Sequence, residues 1–187
     1  MKKIIACILI LLCLASCSKD EIIITEFDLM LPNFTVGELM NETSLVVRVK
    51  YTGEKESFRI KEVNSDGQKN VTDITFECQE VLYGGYTVGE KIFVRVDGGE
   101  AGGYNEIYNG NPEFVKGREY VLFLYQLKSE PNEDRKSVYY IPGVRMGVFE
   151  IRADQNEKTT EITPYMHVGN AGFTYRDIAD YLKENYG

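Results

Sequence analysis

The sequence has few of the side chains from which metal centres and disulfides are built. It contains one histidine and four cysteines in 187 residues, and three of those cysteines lie within the first 17 residues. Beyond residue 17 only Cys78 and His167 remain, too few for a zinc site of cysteine and histidine ligands within one chain. The stability of the fold must therefore come from its hydrophobic core.

Basic residues are in the minority. The chain carries 21 lysines and arginines against 29 aspartates and glutamates, a formal net charge of −8. A chain of this charge repels phosphates, so nucleic acid and anionic lipid headgroups are poor partners. No nucleophile–base pair, metal cluster or phosphate-binding loop stands out in the sequence, and we expect no cofactor.

The first 16 residues have the pattern of a processed signal peptide. Met1-Lys2-Lys3 is a short positive segment, and an unbroken apolar run from Ile4 to Leu14 follows it. At 1.5 Å rise per residue this run is too short to cross the ~30 Å core of a bilayer. The pattern therefore indicates a signal peptide at residues 1–16 rather than a membrane-spanning helix.

Leu14-Ala15-Ser16-Cys17 resembles the lipobox of bacterial lipoproteins. The resemblance implies that the sulfur of Cys17 receives a diacylglycerol and that the chain is cut just before it. Acyl chains such as palmitate would then anchor the protein on the extracytoplasmic side of the cell membrane, because two or three chains hold where one would not. Ser18 gives no inner-membrane retention signal of the aspartate type. With Cys17 acylated, Cys78 has no partner for an intrachain disulfide.

Residues 17–31 are predicted to be a short lipid-anchored tether, and residues 32–187 a single domain. The tether has neither the proline run nor the glycine-serine run of a long stalk. Its Ile22-Ile23-Ile24 triplet leaves two alternatives open. Either the domain sits close to the membrane, or the triplet adds a strand to the domain.

Alternation of apolar and polar residues predicts a succession of short strands. The expected strands are Leu45–Tyr51, Ser57–Val63, Ile74–Tyr83, Lys91–Asp97, Glu119–Leu127, Val138–Ile141 and Gly147–Ile151. Within the third strand the alternation slips by one residue, which predicts a β-bulge near Gln79-Glu80. The glycine-rich stretch of residues 98–103 is expected to be irregular.

Two short helices are expected at the ends of this region. Thr35-Val36-Gly37-Glu38 has the form of a capping box and predicts a helix to about Asn41. Near the C-terminus, Thr174 is expected to cap a helix whose apolar face is formed by Ile178, Ala179, Tyr181 and Leu182. Short strands, no βαβ alternation and two small helices together predict an all-β barrel or sandwich.

The central third also has a recognisable series of motifs. They are Glu80-Val81-Leu82-Tyr83-Gly84, Val94-Arg95-Val96-Asp97-Gly98-Gly99-Glu100, Gly110-Asn111-Pro112-Glu113-Phe114, Tyr120-Val121-Leu122-Phe123-Leu124 and Gly147-Val148-Phe149. This series resembles a broad set of extracytoplasmic bacterial proteins without an assigned activity. More distantly, it is similar to the netrin-type module of tissue metalloproteinase inhibitors. The resemblance covers about Thr35 to Ile151.

The resemblance implies a mainly β fold: a closed or nearly closed, five-stranded Greek-key barrel of the OB type, with a short N-terminal helix and a C-terminal helix outside it. It carries no inhibitory mechanism, since netrin-type inhibitors chelate a protease zinc through a free N-terminal cysteine and Cys17 is expected to carry lipid. The predicted core is Val47, Val49, Ile74, Phe76, Cys78, Val81, Ile92, Val94, Val96, Val121, Phe123 and Phe149. Cys78 is expected to be a small buried hydrophobe and not a reactive thiol.

A calcium site is a weak candidate near the glycine-rich stretch. Asp97 and Glu100, with Glu106 nearby, could gather carboxylates around the ion. The segment lacks the alternating oxygen ligands of an EF-hand. Glycines that permit a positive φ where a strand ends explain the motif equally well.

Catalytic arrangements receive little support from the sequence. His167 has no serine in a Gly-x-Ser-x-Gly setting to activate, and we interpret it as a packed or surface histidine. Paired carboxylates could hydrolyse a glycan or peptide of the cell envelope, but 29 acidic residues make any chosen pair uninformative. A carboxylate-based hydrolase is therefore the alternative hypothesis.

The tyrosines are a further candidate for a functional surface. Tyr83, Tyr86, Tyr104 and Tyr108 lie in or beside glycine-rich connections, where functional side chains tend to lie. Gathered at one end of a barrel, they would form an aromatic surface for an envelope protein, a peptide or a glycan. The alternative is that they close the ends of the barrel. We accordingly expect a non-catalytic, lipid-anchored binding module rather than an enzyme.

Overall fold

The structure is a computed structural model. It describes residues 21–25, 35–62, 67–127, 138–143, 145–152, 161–164 and 175–187. The predicted signal peptide, Cys17, His167 and the predicted helix cap Thr174 lie outside the described residues.

The described residues form ten strands and two helices. In chain order these are β1 (Glu21–Thr25), α1 (Val36–Met40), β2 (Leu45–Lys61), β3 (Gln68–Tyr83), β4 (Lys91–Asp97), β5 (Gly99–Ala101), β6 (Tyr104–Tyr108), β7 (Glu119–Leu124), β8 (Val138–Tyr139), β9 (Val148–Arg152), β10 (Glu161–Pro164) and α2 (Tyr175–Tyr186). The prediction of a mainly β fold is confirmed. No helix among them is long and apolar enough to cross a membrane.

The strands form two sheets. Seven are hydrogen-bonded in the order β10-β9-β7-β2-β3-β4-β8, and three in the order β1-β6-β5. All pairs are antiparallel except β4 with β8 and β1 with β6, which are parallel. The isoleucine triplet thus lies in β1, paired with β6.

The expectation of a fully closed barrel is wrong. The order of the larger sheet is open, with β10 and β8 at its edges within the described part of the chain. Among the described residues, an isolated bridge between Tyr125 and Tyr140 is the one pairing that joins the chain after β7 to the chain after β8. The reason is that β8 has two residues, too few to form a second ladder beside the one it shares with β4.

The β2–β3 hairpin is longer than expected. The predicted strand Leu45–Tyr51 and residues 57–61 of the predicted strand Ser57–Val63 are parts of one strand, β2, which continues through an irregularity at Gly53 with φ of +86°. Val63 lies outside the described residues. There the pairing jumps from Tyr51 opposite Phe76 to Lys55 opposite Ile74. A glycine that breaks the alternation therefore marks a bulge and not the end of a strand.

The bulge predicted near Gln79-Glu80 is confirmed. Arg48 lies opposite Glu80, but the next residue, Val49, lies opposite Cys78, which leaves Gln79 as the extra residue of β3. The glycine-rich stretch is more ordered than expected, because it contains β5 and the turn to β6.

Hydrophobic side chains are buried on both faces of the larger sheet. Strand β7 shows this directly: Tyr120, Leu122 and Leu124 belong to one cluster, and Val121 and Phe123 to the other. The apolar run over β7 is therefore that of a central strand, as predicted. Ten of the twelve predicted core residues are buried, and the other two are partly buried; the exceptions are Val81 and Val96.

Both helices pack on the second of these clusters. The capping box of α1 is formed as predicted: Glu38 N donates to Thr35 Oγ1 at 3.3 Å, and Thr35 N donates to Glu38 Oε2 at 2.7 Å. Along α2, Ile178 and Leu182 are buried and Tyr181 is partly buried. The helices thus cover one face of the sheet.

Candidate functional site

The four candidate tyrosines do not form one surface. Tyr83 packs on the cluster beneath the helices, where its ring lies 5.5 Å from that of Tyr186 on α2. Tyr86 packs against the other cluster, 6.0 Å from the ring of Tyr139. These two tyrosines are therefore separated by the sheet, although only two residues lie between them in sequence.

The loop between β3 and β4, residues 84–90, is held in place by hydrogen bonds. Tyr86 Oη donates to the carbonyl of Lys91 at 2.7 Å, and Gly89 N donates to the carbonyl of Cys78 at 2.8 Å. Gly84 adopts φ of +83°, where a Cβ atom would collide with the backbone of Ser44. The loop is thus braced at both ends and in its middle.

The tip of this loop presents an apolar side chain to solvent. Val88 is 60 % exposed. Beneath it, burial raises the pKa of Tyr86 to about 12, and the neighbouring Tyr139 and Glu90 act in the same direction. Burial also raises the pKa of the Cys78 thiol, whose side chain is 1 % exposed. Cys78 is therefore the inert buried hydrophobe that the alternation predicts.

Tyr104 and Tyr108 lie at the two ends of β6, against the opposite end of β3. The residue that holds β5 and β6 there is Asn70, which is fully buried. Its Nδ2 donates to the carbonyls of Gly99, Ala101 and Tyr104 at 2.9, 3.3 and 3.1 Å. One amide group thus fixes both strands and the turn between them.

Close backbone contact explains the glycines at the end of β4. Thr72 Oγ1 donates to the carbonyl of Gly98 at 2.7 Å, and Gly98 N donates to the carbonyl of Asn70 at 2.8 Å. Gly98 and Gly99 have φ of +90° and +116°, and a Cβ atom on Gly98 would lie 2.6 Å from the carbonyl oxygen of Glu106. The conformational interpretation of this motif therefore has a direct structural basis.

The three carboxylates proposed for calcium have different surroundings. Asp97 Oδ1 accepts a hydrogen bond from Lys69 Nζ at 2.6 Å, and Glu106 Oε2 accepts one from Asn70 N at 3.1 Å. Glu100 is exposed to solvent. Among the residues that the structure describes, no three histidine, cysteine, aspartate or glutamate side chains are grouped to hold a metal ion.

Arg59 is stacked on the ring of Tyr104. The guanidinium carbon lies 4.6 Å from the ring centroid, a cation–π distance. Its Nε atom is buried and has no hydrogen-bond acceptor within the described part of the chain. The arginine stem also packs against the turn between β5 and β6, since its Cδ would meet a Cβ atom on Gly102 at 2.5 Å.

A buried ion pair joins β3 to β4. Asp73 and Arg95 lie directly opposite each other in the ladder. They form a bidentate ion pair, in which Arg95 Nε donates to Asp73 Oδ1 at 2.7 Å and Arg95 Nη2 donates to Asp73 Oδ2 at 3.1 Å. Their side chains are 0 % and 8 % exposed. Burial alone would lower the pKa of Arg95, but the hydrogen bonds and charge of Asp73 outweigh it and raise the pKa. Sequence reasoning missed this pair because it depends on the register between two strands.

A second polar cluster connects the sheet to α2. Arg48 Nε donates to Glu119 Oε2 at 2.8 Å, and Nη1 of Arg48 lies 4.0 Å from Glu80 Oε2. Glu80 in turn accepts a hydrogen bond from Tyr175 Oη, and Arg48 lies over the Tyr175 ring at 5.5 Å. The two carboxylates are therefore engaged in docking the helix onto β2, β3 and β7.

Comparison with known proteins adds no assignment to this geometry. No protein-family model matches the chain, and a search of curated proteins finds no match.

Proposed function

We propose that this protein is a non-catalytic binding module, anchored by lipid on Cys17 to the extracytoplasmic side of a bacterial membrane. The lipobox-like Leu14-Ala15-Ser16-Cys17 supports the anchoring. The braced loop of residues 84–90, with Val88 60 % exposed at its tip, supports the binding role and is the observation that carries it. Binding residues are characteristically found on loops that a rigid scaffold positions.

We further propose that the domain is an OB-like barrel with a gap between β7 and β8. The pairings of β2 with β3, β3 with β4, and β2 with β7 are antiparallel, while β4 and β8 are parallel. The five strands are then β2, β3, β4, β7 and β8. The bridge between Tyr125 and Tyr140 lies between the ends of β7 and β8, the pair that would close the barrel. This pattern is compatible with a five-stranded Greek-key barrel. Strands β9 and β10 extend the sheet beyond β7.

The binding surface that we propose is the β3–β4 loop and not the full set of tyrosines. Tyr86 supports the loop from inside, because its hydroxyl is bonded to the Lys91 carbonyl and its ring packs on Tyr139. Val88 is then the residue available to a partner, which we take to be an envelope protein or a glycan strand. An apolar side chain held on a rigid loop loses little entropy on binding.

Lipid anchoring is tested by metabolic labelling with palmitate. The wild-type protein should become labelled and should fractionate with membranes, and Cys17→Ala should do neither. Label that persists in Cys17→Ala would contradict the anchoring. Cys78→Ala is the matched control, and it should keep the label because the Cys78 side chain is 1 % exposed.

The binding role is tested by photo-crosslinking in intact cells. A photoreactive amino acid at Val88 should give a discrete adduct with an envelope component. The same amino acid at Val115, a valine 48 % exposed in the connection before β7, should give none. Equal crosslinking at the two positions, or none at Val88, would contradict a binding surface on the β3–β4 loop.

A further inference from the structure

We infer that the turn between β5 and β6, with Arg59 stacked on Tyr104, contacts the phospholipid headgroups of the membrane that carries the protein. This inference rests on the proposed acylation of Cys17. It gives the domain a defined orientation, with the β5–β6 turn towards the lipid and the β3–β4 loop away from it.

The length of chain after Cys17 limits how far the turn can be from the membrane. Strand β1 begins at Glu21, four residues after Cys17, and four extended residues span at most about 14 Å. Glu21 is paired with Tyr104 at the start of β6, and paired strands lie about 4.8 Å apart. The headgroup layer of one leaflet occupies about 5–8 Å of that reach. Tyr104 is therefore held beside the bilayer surface.

The chain as a whole repels phosphates, but Arg59 places a positive charge at this end. Gly102 and Gly103 are exposed and leave the turn without bulky groups. The buried Nε of Arg59 has no hydrogen-bond partner within the described part of the chain, although the chain has an excess of acids. A planar guanidinium binds phosphate oxygens in pairs. Tyrosine is enriched at membrane–water interfaces because its ring is apolar and its hydroxyl is polar.

The β3–β4 loop cannot occupy the same surface. Asn70, which holds the β5–β6 turn, is near the start of β3, whereas the loop follows Tyr83 at the end of β3. Strand β3 thus places Asn70, beside the β5–β6 turn, 13 residues from Tyr83, where the β3–β4 loop begins. With one end fixed to the lipid through β1, the other is directed away from it.

The experiment measures the depth of two probes on the acylated mature protein, from which Cys7 and Cys13 have left with the signal peptide, in vesicles of phosphatidylcholine and phosphatidylglycerol. An environment-sensitive fluorophore is attached to Gly103→Cys or, as the control, to Val88→Cys. Labelling is selective because Cys17 is acylated and Cys78 is buried. Lipid-bound quenchers should reduce the emission of the Gly103 probe at least about twofold more than that of the Val88 probe, since only the former lies at the interface.

Equal quenching of both probes, or stronger quenching at Val88, would overturn the orientation. Failure of the proposed function is a different result, because a protein without lipid would not float with the vesicles at all. Flotation is therefore recorded for each sample before quenching is measured.

The role of Arg59 is tested separately in the Gly103→Cys background. Arg59→Gln should reduce quenching of the probe, and Arg59→Lys should retain most of it because it keeps the charge. Glu100→Gln removes an exposed acid from β5 and should increase quenching on anionic vesicles. Melting temperatures verify that the variants fold. Unchanged quenching in folded Arg59→Gln would refute the contact between the guanidinium and phosphate.

Discussion

The two halves of the β2–β3 hairpin are stabilised in different ways. In the half that contains Val49 and Cys78, apolar side chains from both strands are buried in the sheet's hydrophobic clusters. In the half that contains Ser57 and Asn70, polar groups are buried beside Val71: Thr72 bonds Ser57 at 2.8 Å, and Asn70 donates to three carbonyls. The same pair of strands therefore passes from a core made by packing to one made by hydrogen bonds.

The two halves of the hairpin therefore differ in how strictly they fix the register of the strands. Apolar contacts are non-directional and tolerate small shifts of register. Buried polar groups do not, because each group left without a partner costs free energy. The polar half therefore fixes where β5 and β6 attach, and through β6 it fixes where β1 lies. We expect the apolar half to supply most of the stability, because its buried side chains belong to the hydrophobic cluster around Phe76.

The largest expected effect comes from breaking the buried ion pair. Asp73→Ala should lower the free energy of unfolding by about 3–5 kcal/mol, because it leaves the charge of Arg95 buried without its partner. Denaturant unfolding followed by circular dichroism measures the change.

The matched control for that experiment replaces both partners. Asp73→Leu with Arg95→Met should recover much of the loss, since a well-packed apolar pair can substitute for a buried ion pair. If the double variant were as unstable as Asp73→Ala, the penalty would come from lost packing around Phe58, over which Arg95 lies at 5.0 Å, and not from an unpaired charge.

A comparable loss is expected in the apolar half. Phe76 is fully buried, and its ring lies 5.4 Å from Tyr51, 4.9 Å from Phe114 and 6.4 Å from Tyr120. Phe76→Ala should cost about 3–5 kcal/mol of unfolding free energy through the cavity it creates. Phe76→Leu should cost less because it fills more of the cavity. If Phe76→Ala lost several kcal/mol less than Asp73→Ala, the apolar half would not be the main source of stability.

A smaller and more local effect is expected at the centre of the polar half. Asn70→Ala removes the donor to the carbonyls of Gly99, Ala101 and Tyr104, and it should cost about 1–3 kcal/mol. Amide hydrogen exchange should increase in β5 and β6 and remain slow in β7. Faster exchange throughout the sheet would show that Asn70 stabilises the whole domain and not this attachment alone.

Sequence patterns predicted the apolar half well and the polar half poorly. Alternation identified Val47, Val49, Phe76 and Cys78 as core residues, and its one-residue slip located the bulge at Gln79, because both signals are local. The Asp73–Arg95 pair could not be predicted in the same way. It joins residues on different strands, and only the three-dimensional register brings them opposite each other.

The tyrosines show the same limit. Glycine-rich surroundings marked Tyr86 and Tyr104 as residues of interest, yet the pattern could not tell that they lie at different ends of β3. Nor could it identify Arg59, whose significance depends on stacking against a residue 45 positions away. The closure of the barrel was overestimated as well, since β8 has two residues where alternation predicted a strand from Val138 to Ile141.

The smallest expected effect is a change in the pH dependence of the unfolding free energy. It comes from Tyr86, which supports the β3–β4 loop at the end of the apolar half. The pKa of Tyr86 is about 12 in the folded protein, above the ordinary value of about 10. Between these values the unfolded chain releases the proton while the folded protein keeps it. The contribution of Tyr86 to stability is therefore complete below pH ~10 and declines as the pH rises towards 12.

Tyr86→Phe cannot ionise, so its unfolding free energy should fall less steeply than that of the wild type over this window. At pH 8 the variant should be slightly less stable, because it lacks the hydrogen bond to the Lys91 carbonyl. Parallel pH profiles for the two proteins would mean that the Tyr86 hydroxyl is solvated and that the loop is not braced from inside.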